Sequence, residues 1–476
     1  MKPRNLVFVF ADQWRRSAAG PYHDDPVYTP NIDTFSKEAV VCTDTVSSFP
    51  LCSPARASLL SGLYPLSTGV FTNCKPGVDV RLDENTVCIS DVLHEHGYQT
   101  GYIGKWHLDE PEISHDPSPR SGAGGWDAYT PPGKGRHGFD FWHAYNAYDK
   151  HLQPHYWEDS PDMIRVNRWS PVHETDKAIE FLSKRDRNRP FALYLSWNPP
   201  HSPYDSAPGE FWKPYEDLDY VRRNVDISQL AETMHHTLER YPLDEAGLRR
   251  LYQGYFASVT GIDAQFGRLV EYLSAEGLLD DTLVVLTADH GDMLASHRLI
   301  MKHVWYEESI GIPFIIGGGG LGKGECGSVF GSQDVPVTLL SLLGLPVPSS
   351  WEGRDLSRDI TQQVTDEGSH AFVAAVPGRE VFVKAFREAG LNPLEYGWRA
   401  VRDRRYTYVA SVGYLTEKEP QFLLYDNLED PYQLAPLSGM AARGSSEGRR
   451  LEELLVRWLH QQKDPFAVNL KEAGNV

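Results

Sequence analysis

NLVFVFADQ, residues 5–13, joins an unbroken apolar run to two polar side chains. Residues Leu6 to Phe10 are all apolar, and Asp12 and Gln13 follow almost directly. A parallel strand that is buried on both faces has such a continuous run, whereas a half-exposed strand alternates apolar and polar residues. The segment therefore predicts a buried parallel strand close to the start of the chain.

Three other segments have the same pattern of an apolar run followed by polar groups. They are TGYIGKWHL (100–108), RPFALYLSWNPPHSPY (189–204) and TLVVLTADHGD (282–292). Between these segments, TPNIDTFSKEAV (29–40) and YFASVTGIDAQFGRLVEYLSAEGL (255–278) have apolar residues at helical intervals. Strands that alternate with helices indicate an α/β fold, with a large, mostly parallel sheet between layers of helices.

The pattern changes near residue 370. GWRAVRDRRYTYVASVG (397–413) and QFLLYDNLEDPYQL (421–434) are typical of short antiparallel strands with turns, and EGRRLEELLVRWLHQQ (447–462) is typical of a helix. We therefore predict a catalytic α/β domain over residues 1–370 and a smaller α+β subdomain with an antiparallel sheet over residues 371–476.

The composition excludes several classes of protein. The chain has 476 residues and a formal net charge of −19, which argues against binding to nucleic acid. Its five cysteines are an odd number without a CxxC pair, so a disulfide framework is not expected. No segment is long and apolar enough to cross a membrane, and the first residues lack the features of a signal peptide. We expect a cytoplasmic protein, or an extracytoplasmic one if a leader was removed.

Two of the predicted strands end in potential metal ligands. Asp12 and Gln13 follow one strand, and Asp289 and His290 follow another. In an open α/β sheet, ligands bind beyond the carboxyl ends of the strands. Carboxylate and amide oxygens suit Ca²⁺ or Mg²⁺, and His290 also admits Mn²⁺. We predict one divalent cation, with Ca²⁺ first; the alternative is that the aspartates only cap turns.

A lone cysteine begins the segment CSPARASLLSGLYP (52–65). Pro54 suits the first turn of a helix and Gly62 suits its end, which places Cys52 at the helix N-terminus. Free backbone N–H groups there favour an anion, and Arg56 lies about one turn further on. Cys52 is then a packing residue, a reactive thiolate or the precursor of another group.

The segment from 109 to 165 has no clear secondary-structure pattern but is rich in aromatic residues and histidines. Long segments of this kind inside a compact protein are often functional. Its aromatic side chains between Trp126 and Trp157 either stack against a sugar ring or pack onto the core. His137, His151 and His155 are candidate substrate contacts.

Several motifs together resemble a known family. CSPAR (52–56) fits the pattern Cys-x-Pro-x-Arg, and FADQW, GYIGKWHL, HSPY and TADHGD occur along the rest of the chain. This set resembles the type I, formylglycine-dependent sulfatases of the alkaline-phosphatase-like superfamily, and the resemblance covers about residues 5–435.

The resemblance implies that a maturation enzyme oxidises Cys52 to formylglycine. One hydroxyl of the hydrated aldehyde would attack sulfur and displace the alcohol, and loss of the second hydroxyl proton would release sulfate and regenerate the aldehyde. Asp12, Gln13, Asp289 and His290 match the metal ligands of the family, with residue 52 completing the set. Many sulfatases have Asp-Asp and Asp-Asn at these places, and the variant pairs here also resemble choline sulfatases and phosphonate monoester hydrolases.

The resemblance also implies roles for five other side chains. Arg56 and Lys105 would hold the aldehyde hydrate and the sulfate, and His107 would take the proton of the hydrate. His201 and Lys302 would contact the sulfate and assist the leaving oxygen, with His303 as the alternative to Lys302. Taken singly, such lysines are usually solvated charges and such histidines are core or loop residues.

We expect a sulfatase that acts on a sulfated carbohydrate, with Lys105, His201, Lys302, His151 and His155 as substrate-binding residues. The alternatives are a phosphonate monoester or phosphodiester hydrolase with the same site, and a non-catalytic protein that binds sulfate. Expected partners are a small or oligosaccharide sulfate ester and a formylglycine-generating enzyme, and assembly into a homo-oligomer is compatible with the sequence.

Overall fold

A computed structural model describes residues 4–22, 24–222, 224–225, 244–413 and 420–473. A sheet of eight strands forms the centre of the larger region, which precedes residue 370. Its strands are β1 (Asn5–Ala11), β2 (Ala39–Cys42), β4 (Gln99–Lys105), β5 (Phe141–Tyr145), β8 (Phe191–Trp197), β9 (Thr282–Ala288), β10 (Phe314–Gly318) and β11 (Gly324–Cys326). The two-residue strands β3 (Thr45–Val46) and β12 (Phe330–Gly331) pair with each other, as do β6 (His155–Tyr156) and β7 (Ile164–Arg165).

The order across the large sheet is β11-β2-β10-β9-β1-β8-β4-β5. Five adjacent strands run parallel to one another: β9, β1, β8, β4 and β5. Strand β10 runs antiparallel to both β9 and β2. The four strands predicted from apolar runs are adjacent at the centre of this sheet, which confirms the predicted fold class. Strand β5 lies in the segment where no element was predicted, since five residues at the edge of a sheet carry too short a pattern.

Helices cover both faces of the sheet. Leu6, Phe8 and Phe10 of β1 point into one core, and Val7 and Val9 point into the other. The described helices of four or more residues are Pro30–Ser36, Cys52–Ser61, Ile89–Glu95, Ser170–Lys184, Glu245–Ala275, Glu307–Ile310, Asp334–Leu343, Ser357–Gln362, Glu380–Glu388, Gly439–Gly444, Ser446–Gln461 and Ala467–Ala473. Among the described residues, no helix combines the length and the apolar composition needed to cross a bilayer.

Two predicted helices have different bounds in the structure. The one predicted over 29–40 ends at Ser36, because β-branched Val40 and Val41 pair with β10 as part of a strand. The one predicted from residue 255 already begins at Glu245, where Asp244 accepts a hydrogen bond from the backbone N–H of Gly247.

A second, antiparallel sheet contains β13 (His370–Ala375), β14 (Gly397–Asp403), β15 (Tyr406–Val412), β16 (Gln421–Asp426) and β17 (Leu437–Ser438), in that order. The Ser446–Gln461 helix packs against it. The core of this sheet also includes Val46, Phe49 and Trp305 from the larger region. The predicted C-terminal antiparallel sheet is thus present, while the division into two domains at residue 370 stays a prediction.

Candidate active site

The carboxyl ends of β1 and β9 bring distant residues together. The two strands are neighbours in register, with Ala11 opposite Ala288, so Asp12 and Asp289 meet at the same edge. One ligand atom from each of Asp12, Cys52, Asp289 and His290 lies within 4.8 Å of the others, and all four residues are buried. This cluster contains four of the five metal ligands expected from the sequence.

The two carboxylates of this cluster each face cations on one side. Oδ2 of Asp12 accepts from Arg56 Nη2 at 3.0 Å and pairs with Lys105 Nζ at 2.8 Å. Oδ1 of Asp12 lies 3.5 Å from both His290 Nε2 and Cys52 Sγ. Burial opposes ionisation of Asp12, but the charges of Lys105, His201 and Arg56 hold its pKa well below the usual value. Asp12 therefore presents an ionised oxygen to the centre of the cluster.

His290 is held in the tautomer that a metal requires. Its Nδ1 lies 3.0 Å from the carbonyl oxygen of Gly291, which can only accept a hydrogen bond, so Nδ1 carries the proton. Nε2 then has a lone pair and lies 3.5 Å from Oδ1 of Asp289. Burial and Asp12 raise the pKa of Asp289 to about 6. Two carboxylates and one imidazole lone pair suit a divalent cation, because its charge would offset their mutual repulsion.

Gln13 lies beside the cluster, but protein groups already bind its amide. Its Nε2 donates to Asp292 Oδ2 at 2.6 Å and to the Tyr204 hydroxyl at 3.1 Å, and its Oε1 accepts from Lys302 Nζ at 2.5 Å. The amide oxygen has a second lone pair, so its role as a metal ligand stays a prediction. Gln13 has φ of 65°, a left-handed conformation that is uncommon outside glycine and typical of functional turns.

Cys52 is the first residue of the Cys52–Ser61 helix, as its sequence predicts. The helix ends at Gly62, whose φ of 65° is the left-handed conformation of a C-terminal cap. Sγ of Cys52 lies 3.3 Å from His290 Nε2. Burial and Asp12 oppose ionisation of the thiol, yet the charges of Lys302 and Lys105 hold the pKa of Cys52 well below its usual value. Such an electropositive environment is typical of a reactive position rather than a packing residue.

Arg56 connects the helix to both carboxylates. Its Nε donates to Asp289 Oδ2 at 3.0 Å, and its Nη1 donates to the backbone oxygen of Lys105 at 2.7 Å and to Ser196 Oγ at 2.8 Å. It is one helical turn beyond Cys52 and therefore lies on the same face. Lys105 is also buried, and its Nζ donates to Asn198 Oδ1 at 3.1 Å.

His107 is buried with both ring nitrogens lacking a hydrogen-bond partner among the described residues. Burial lowers its pKa to about 4, and Cys52 is the neighbour that most opposes this shift. Its φ of 57° is again left-handed. Buried polar atoms without partners are uncommon, so a neutral ring beside Cys52 fits a hydroxyl group on residue 52.

His201 and Lys302 approach the cluster from two further loops. Nδ1 of His201 lies 3.3 Å from Asp149 Oδ1 and 2.8 Å from the backbone oxygen of Ser202. Burial and Lys302 lower its pKa, but Asp149 and Asp12 prevail and raise it to about 9. His201 is therefore a cation at neutral pH. The side chain of Lys302 contacts Gln13, whereas the ring of His303 packs near Phe49.

The histidines of the aromatic segment contact protein groups. Nε2 of His151 lies 2.9 Å from the backbone oxygen of His201, and Nε2 of His155 lies 2.6 Å from Asp127 Oδ2. Nδ1 of His137 lies 3.1 Å from the backbone oxygen of Thr86. These contacts hold loops in place, and the predicted role of His151 and His155 in substrate binding stays a prediction.

Most aromatic side chains of this segment pack onto the core. Trp142, Tyr145, Tyr156 and Trp157 are buried, which favours the packing interpretation for them. Trp126 differs, because 43% of it is exposed while its ring lies 6.1 Å from that of His107.

Three polar residues that support the site were not predicted from the sequence. Asp149 binds His201, Asn198 binds Lys105, and Asp292 accepts from Gln13 and from the backbone N–H groups at 294 and 301, on both sides of the loop before Lys302. Asn198 and Asp292 lie within motifs that the sequence displays, so their position after strands was a usable signal. Asp149 lies in the segment without a pattern and had none.

Comparisons with known proteins identify the family of this chain. The family model described as Sulfatase matches residues 4–345. The chain is 33% identical to an endo-4-O-sulfatase of Bacteroides thetaiotaomicron over 90% of this chain and 87% of the relative. It is 34% identical to an ulvan-active sulfatase of Formosa agariphila over 91% of this chain and 77% of the relative.

A solved structure extends the comparison to the whole fold. It comes from work on the metabolism of multiple glycosaminoglycans by Bacteroides thetaiotaomicron, and it superposes with a TM-score of 0.84 at 31% identity, covering 99% of each chain. The family match and the two curated relatives each cover well over half of the chain and show its family. The chain belongs to the sulfatase family and is a sulfuric ester hydrolase.

Proposed function

We propose that this sulfatase hydrolyses the sulfate ester of a carbohydrate and that its nucleophile is formylglycine formed from Cys52. The observation that carries the proposal is the position of Cys52: a buried thiol at a helix N-terminus, 3.3 Å from His290 and 3.5 Å from Asp12. The names of the two curated relatives support a carbohydrate substrate, since both denote sulfatases and one of them acts on ulvan.

A divalent cation, Ca²⁺ first and Mg²⁺ or Mn²⁺ as alternatives, would be held by Asp12, Asp289 and His290 with residue 52 and Gln13. When bound, it would supply positive charge that favours attack on an anionic sulfate ester. The lone pair of His290 Nε2 and the ionised oxygen of Asp12 support this assignment.

The surrounding side chains would bind the sulfate and move protons. Lys105, Lys302 and protonated His201 would offer N–H donors to the sulfate oxygens, and His201 would donate a proton to the departing alcohol oxygen. His107 would accept a proton from a hydroxyl on residue 52, since its ring is neutral and its nitrogens have no partner among the described residues. Arg56 would hold the two carboxylates in place.

Intact mass and turnover together test this proposal. Protein produced with a formylglycine-generating enzyme should be lighter than unmodified protein by the difference between CH₂SH and CHO. It should hydrolyse an aryl sulfate, whereas Cys52→Ala produced in the same way should not. Cys88→Ala is the matched control, because Cys88 is a buried cysteine outside this cluster.

Three results would contradict parts of the proposal. Full activity of Cys52→Ala would exclude residue 52 as the nucleophile. A strong preference for an aryl phosphonate over an aryl sulfate would favour the phosphonate hydrolase, and sulfate binding without turnover by the mature protein would favour the non-catalytic alternative.

The metal assignment has a separate test. Titration of chelator-treated protein with Ca²⁺, Mg²⁺ or Mn²⁺ should raise the unfolding midpoint, since a ligand at 100 times its Kd stabilises by about 2.7 kcal/mol. Asp289→Asn should remove this response. An equal response in wild-type and Asp289→Asn protein would place the cation elsewhere.

A further inference from the structure

Three side chains outside the cluster lie on segments that are bonded to the start of the Cys52–Ser61 helix, bonded to each other or next to His107. They are Lys75, Trp126 and Arg379, from three segments that are far apart in the sequence. The catalytic roles described above involve none of them.

Lys75 is fixed relative to the helix that Cys52 begins. The backbone N–H of Ser53 donates to Asn73 Oδ1 at 3.1 Å, and the backbone N–H of Cys74 donates to Ser53 Oγ at 3.1 Å. These reciprocal bonds hold the 73–74 segment against the start of the helix. Lys75 is the next residue, and its side chain is partly exposed.

Trp126 is an exposed ring on a rigid support. Its backbone oxygen accepts from Asn146 Nδ2 at 2.9 Å, and the buried carboxylate of Asp127 accepts from the backbone N–H groups of Asn146 and Ala147. The indole lies near His107 on one side, and Lys75 Nζ is 5.9 Å from its centroid. A large, half-exposed ring that is held in place so firmly is suited to stacking against a ligand.

Arg379 reaches the same region through the segment before the Glu380–Glu388 helix. Thr72 Oγ1 donates to the backbone oxygen of Gly378 at 2.8 Å, which joins this segment to the one with Lys75. Arg379 is exposed. Burial and then Arg379 lower the pKa of Lys75 to about 8, while Glu380 raises it. The side chain of Glu380 lies against Gly77, two residues after Lys75, so the start of this helix adjoins the segment that carries Lys75.

Among the described residues, neither cation forms an ion pair with a carboxylate. Within the described ranges, no ion pair or hydrogen bond joins the side chain of Lys75 or of Arg379 to a carboxylate, although the chain has 65 acidic residues and a net charge of −19. Burial lowers the pKa of the His303 ring, and Lys75 and Arg379 lower it further. Two such cations near an exposed indole form a local positive site on the surface of an otherwise acidic protein.

From this arrangement, and on the basis of the proposed function, we propose that Lys75, Arg379 and Trp126 bind a second, acidic sugar unit next to the sulfated one. The indole stacks on a sugar ring, and the two cations bind a carboxylate or sulfate group that this neighbouring unit carries. The enzyme then selects polyanionic saccharides over isolated sulfate esters.

The ratio of two kcat/KM values tests this inference. The substrates are a sulfated disaccharide whose second sugar has a carboxylate, and an aryl sulfate without a sugar. Lys75→Gln and Arg379→Gln should each lower the ratio of disaccharide to aryl sulfate about tenfold, as expected for a lost charge-assisted hydrogen bond. Trp126→Ala should lower the same ratio and Trp126→Phe should largely restore it. Lys384→Gln, an exposed lysine of the Glu380–Glu388 helix, is the matched control.

Two further substrates identify the acidic group. Methyl esterification of the carboxylate should lower kcat/KM of the wild-type enzyme for the disaccharide about as much as Lys75→Gln does. With the methyl ester as substrate, the variants should have kcat/KM values little below that of the wild-type enzyme. A disaccharide with a second sulfate in place of the carboxylate shows whether the site distinguishes the two anions. An unchanged ratio in all three variants, or an equal loss in Lys384→Gln, would overturn the inference.

The outcome can be separated from that of the proposed function. If the mature enzyme hydrolyses neither substrate, the proposed function fails, and binding still tests the site. Calorimetry with Cys52→Ala protein should then show tighter binding of the acidic disaccharide than of its methyl ester. Equal affinities for the two, or affinities that Lys75→Gln does not change, would overturn it.

Discussion

Arg56 shows how a single buried side chain can organise this site. Its guanidinium bonds to both carboxylates of the cluster and to the backbone of Lys105, with no exposure to solvent beyond about 1%. Removal of one partner from a buried ion pair leaves an uncompensated charge, which typically costs about 3–5 kcal/mol. Arg56 therefore supports the fold and the geometry of the site at the same time.

The pair of His201 and Asp149 predicts a pH dependence. Asp149 is one of two anions that raise the pKa of His201 to about 9, so the cationic form is lost as the pH rises through that value. In Asp149→Asn this pKa should fall, and the alkaline limb of the kcat/KM profile should move down by about one pH unit. The control is Asp140→Asn, which removes the charge of a different aspartate that lies 3.3 Å from Nδ1 of His94. An alkaline limb that stays in place would show that another group controls it.

Glu174 predicts a pH dependence of stability. Burial raises its pKa to about 8 from 4.5, although the hydroxyl of Tyr156 donates to it at 2.9 Å. Between these two values the unfolded chain releases a proton that the folded protein retains, so the free energy of unfolding falls as the pH rises. Glu174→Gln should remove about 1 kcal/mol per pH unit of this slope between pH 5 and 7, measured by urea denaturation. Equal slopes in the two proteins would contradict the assignment.

At the scale of elements, the Cys52–Ser61 helix is buried along its whole length. Its buried residues therefore show no amphipathic period, and its limits could be predicted only from Pro54 and Gly62. The carbonyl oxygen of Gly62 accepts from the backbone N–H groups of Glu352 and Gly353. These bonds hold Trp351 against the helix end.

This contact at Gly62 predicts the effect of a methyl group. A Cβ there would lie 2.6 Å from the ring of Trp351, in addition to the cost of a left-handed alanine. Gly62→Ala should lower the free energy of unfolding by about 3 kcal/mol. Gly97→Ala should cost only about 1 kcal/mol, because Gly97 is also left-handed but has no atom within 4 Å of its added Cβ. Equal losses in urea denaturation would show that the Trp351 contact has no effect.

For the whole molecule, the two sheets share buried contacts. Arg402 of the second sheet pairs with Asp44 at 2.6 Å and with Glu307 at 3.2 Å, and Trp305 Nε1 donates to the hydroxyl of Tyr425 at 3.1 Å. Val46 and Phe49 also lie in the core of the second sheet, so residues of the larger region bury part of that sheet. The two regions should therefore unfold together.

Unfolding of the full chain tests this coupling. Tryptophan fluorescence and far-UV circular dichroism should give coincident curves with one transition. Arg402→Met should shift that transition as a whole by about 2 kcal/mol, since Asp44 and Glu307 are half-buried and Glu307 still pairs with Arg16. Arg404→Met, which removes an exposed pair with Glu367, should cost less than about 1 kcal/mol. Two separated transitions in any of these proteins would show that the sheets are independent.

Much of the fold and site could be predicted at the level of single segments. Apolar runs identified β1, β4, β8 and β9, because a strand buried on both faces consists mostly of apolar residues. Strand β5 and the true start of the Glu245–Ala275 helix were not predicted, since their limits depend on an edge pairing and on a single cap at Asp244.

The amino-acid sequence by itself determined the central strands, the polar residues at their ends, the helix that begins at Cys52 and the membership of the sulfatase family. These features are local, because burial and strand ends leave a pattern along the chain. Only the tertiary structure decided that Asp149 binds His201, that Trp126 is exposed while most aromatic side chains of its segment are buried, and that Lys75 lies over the Trp126 ring. Such pairs join residues far apart in sequence, and their contacts depend on the order of strands in the sheet and on the paths of the loops between them.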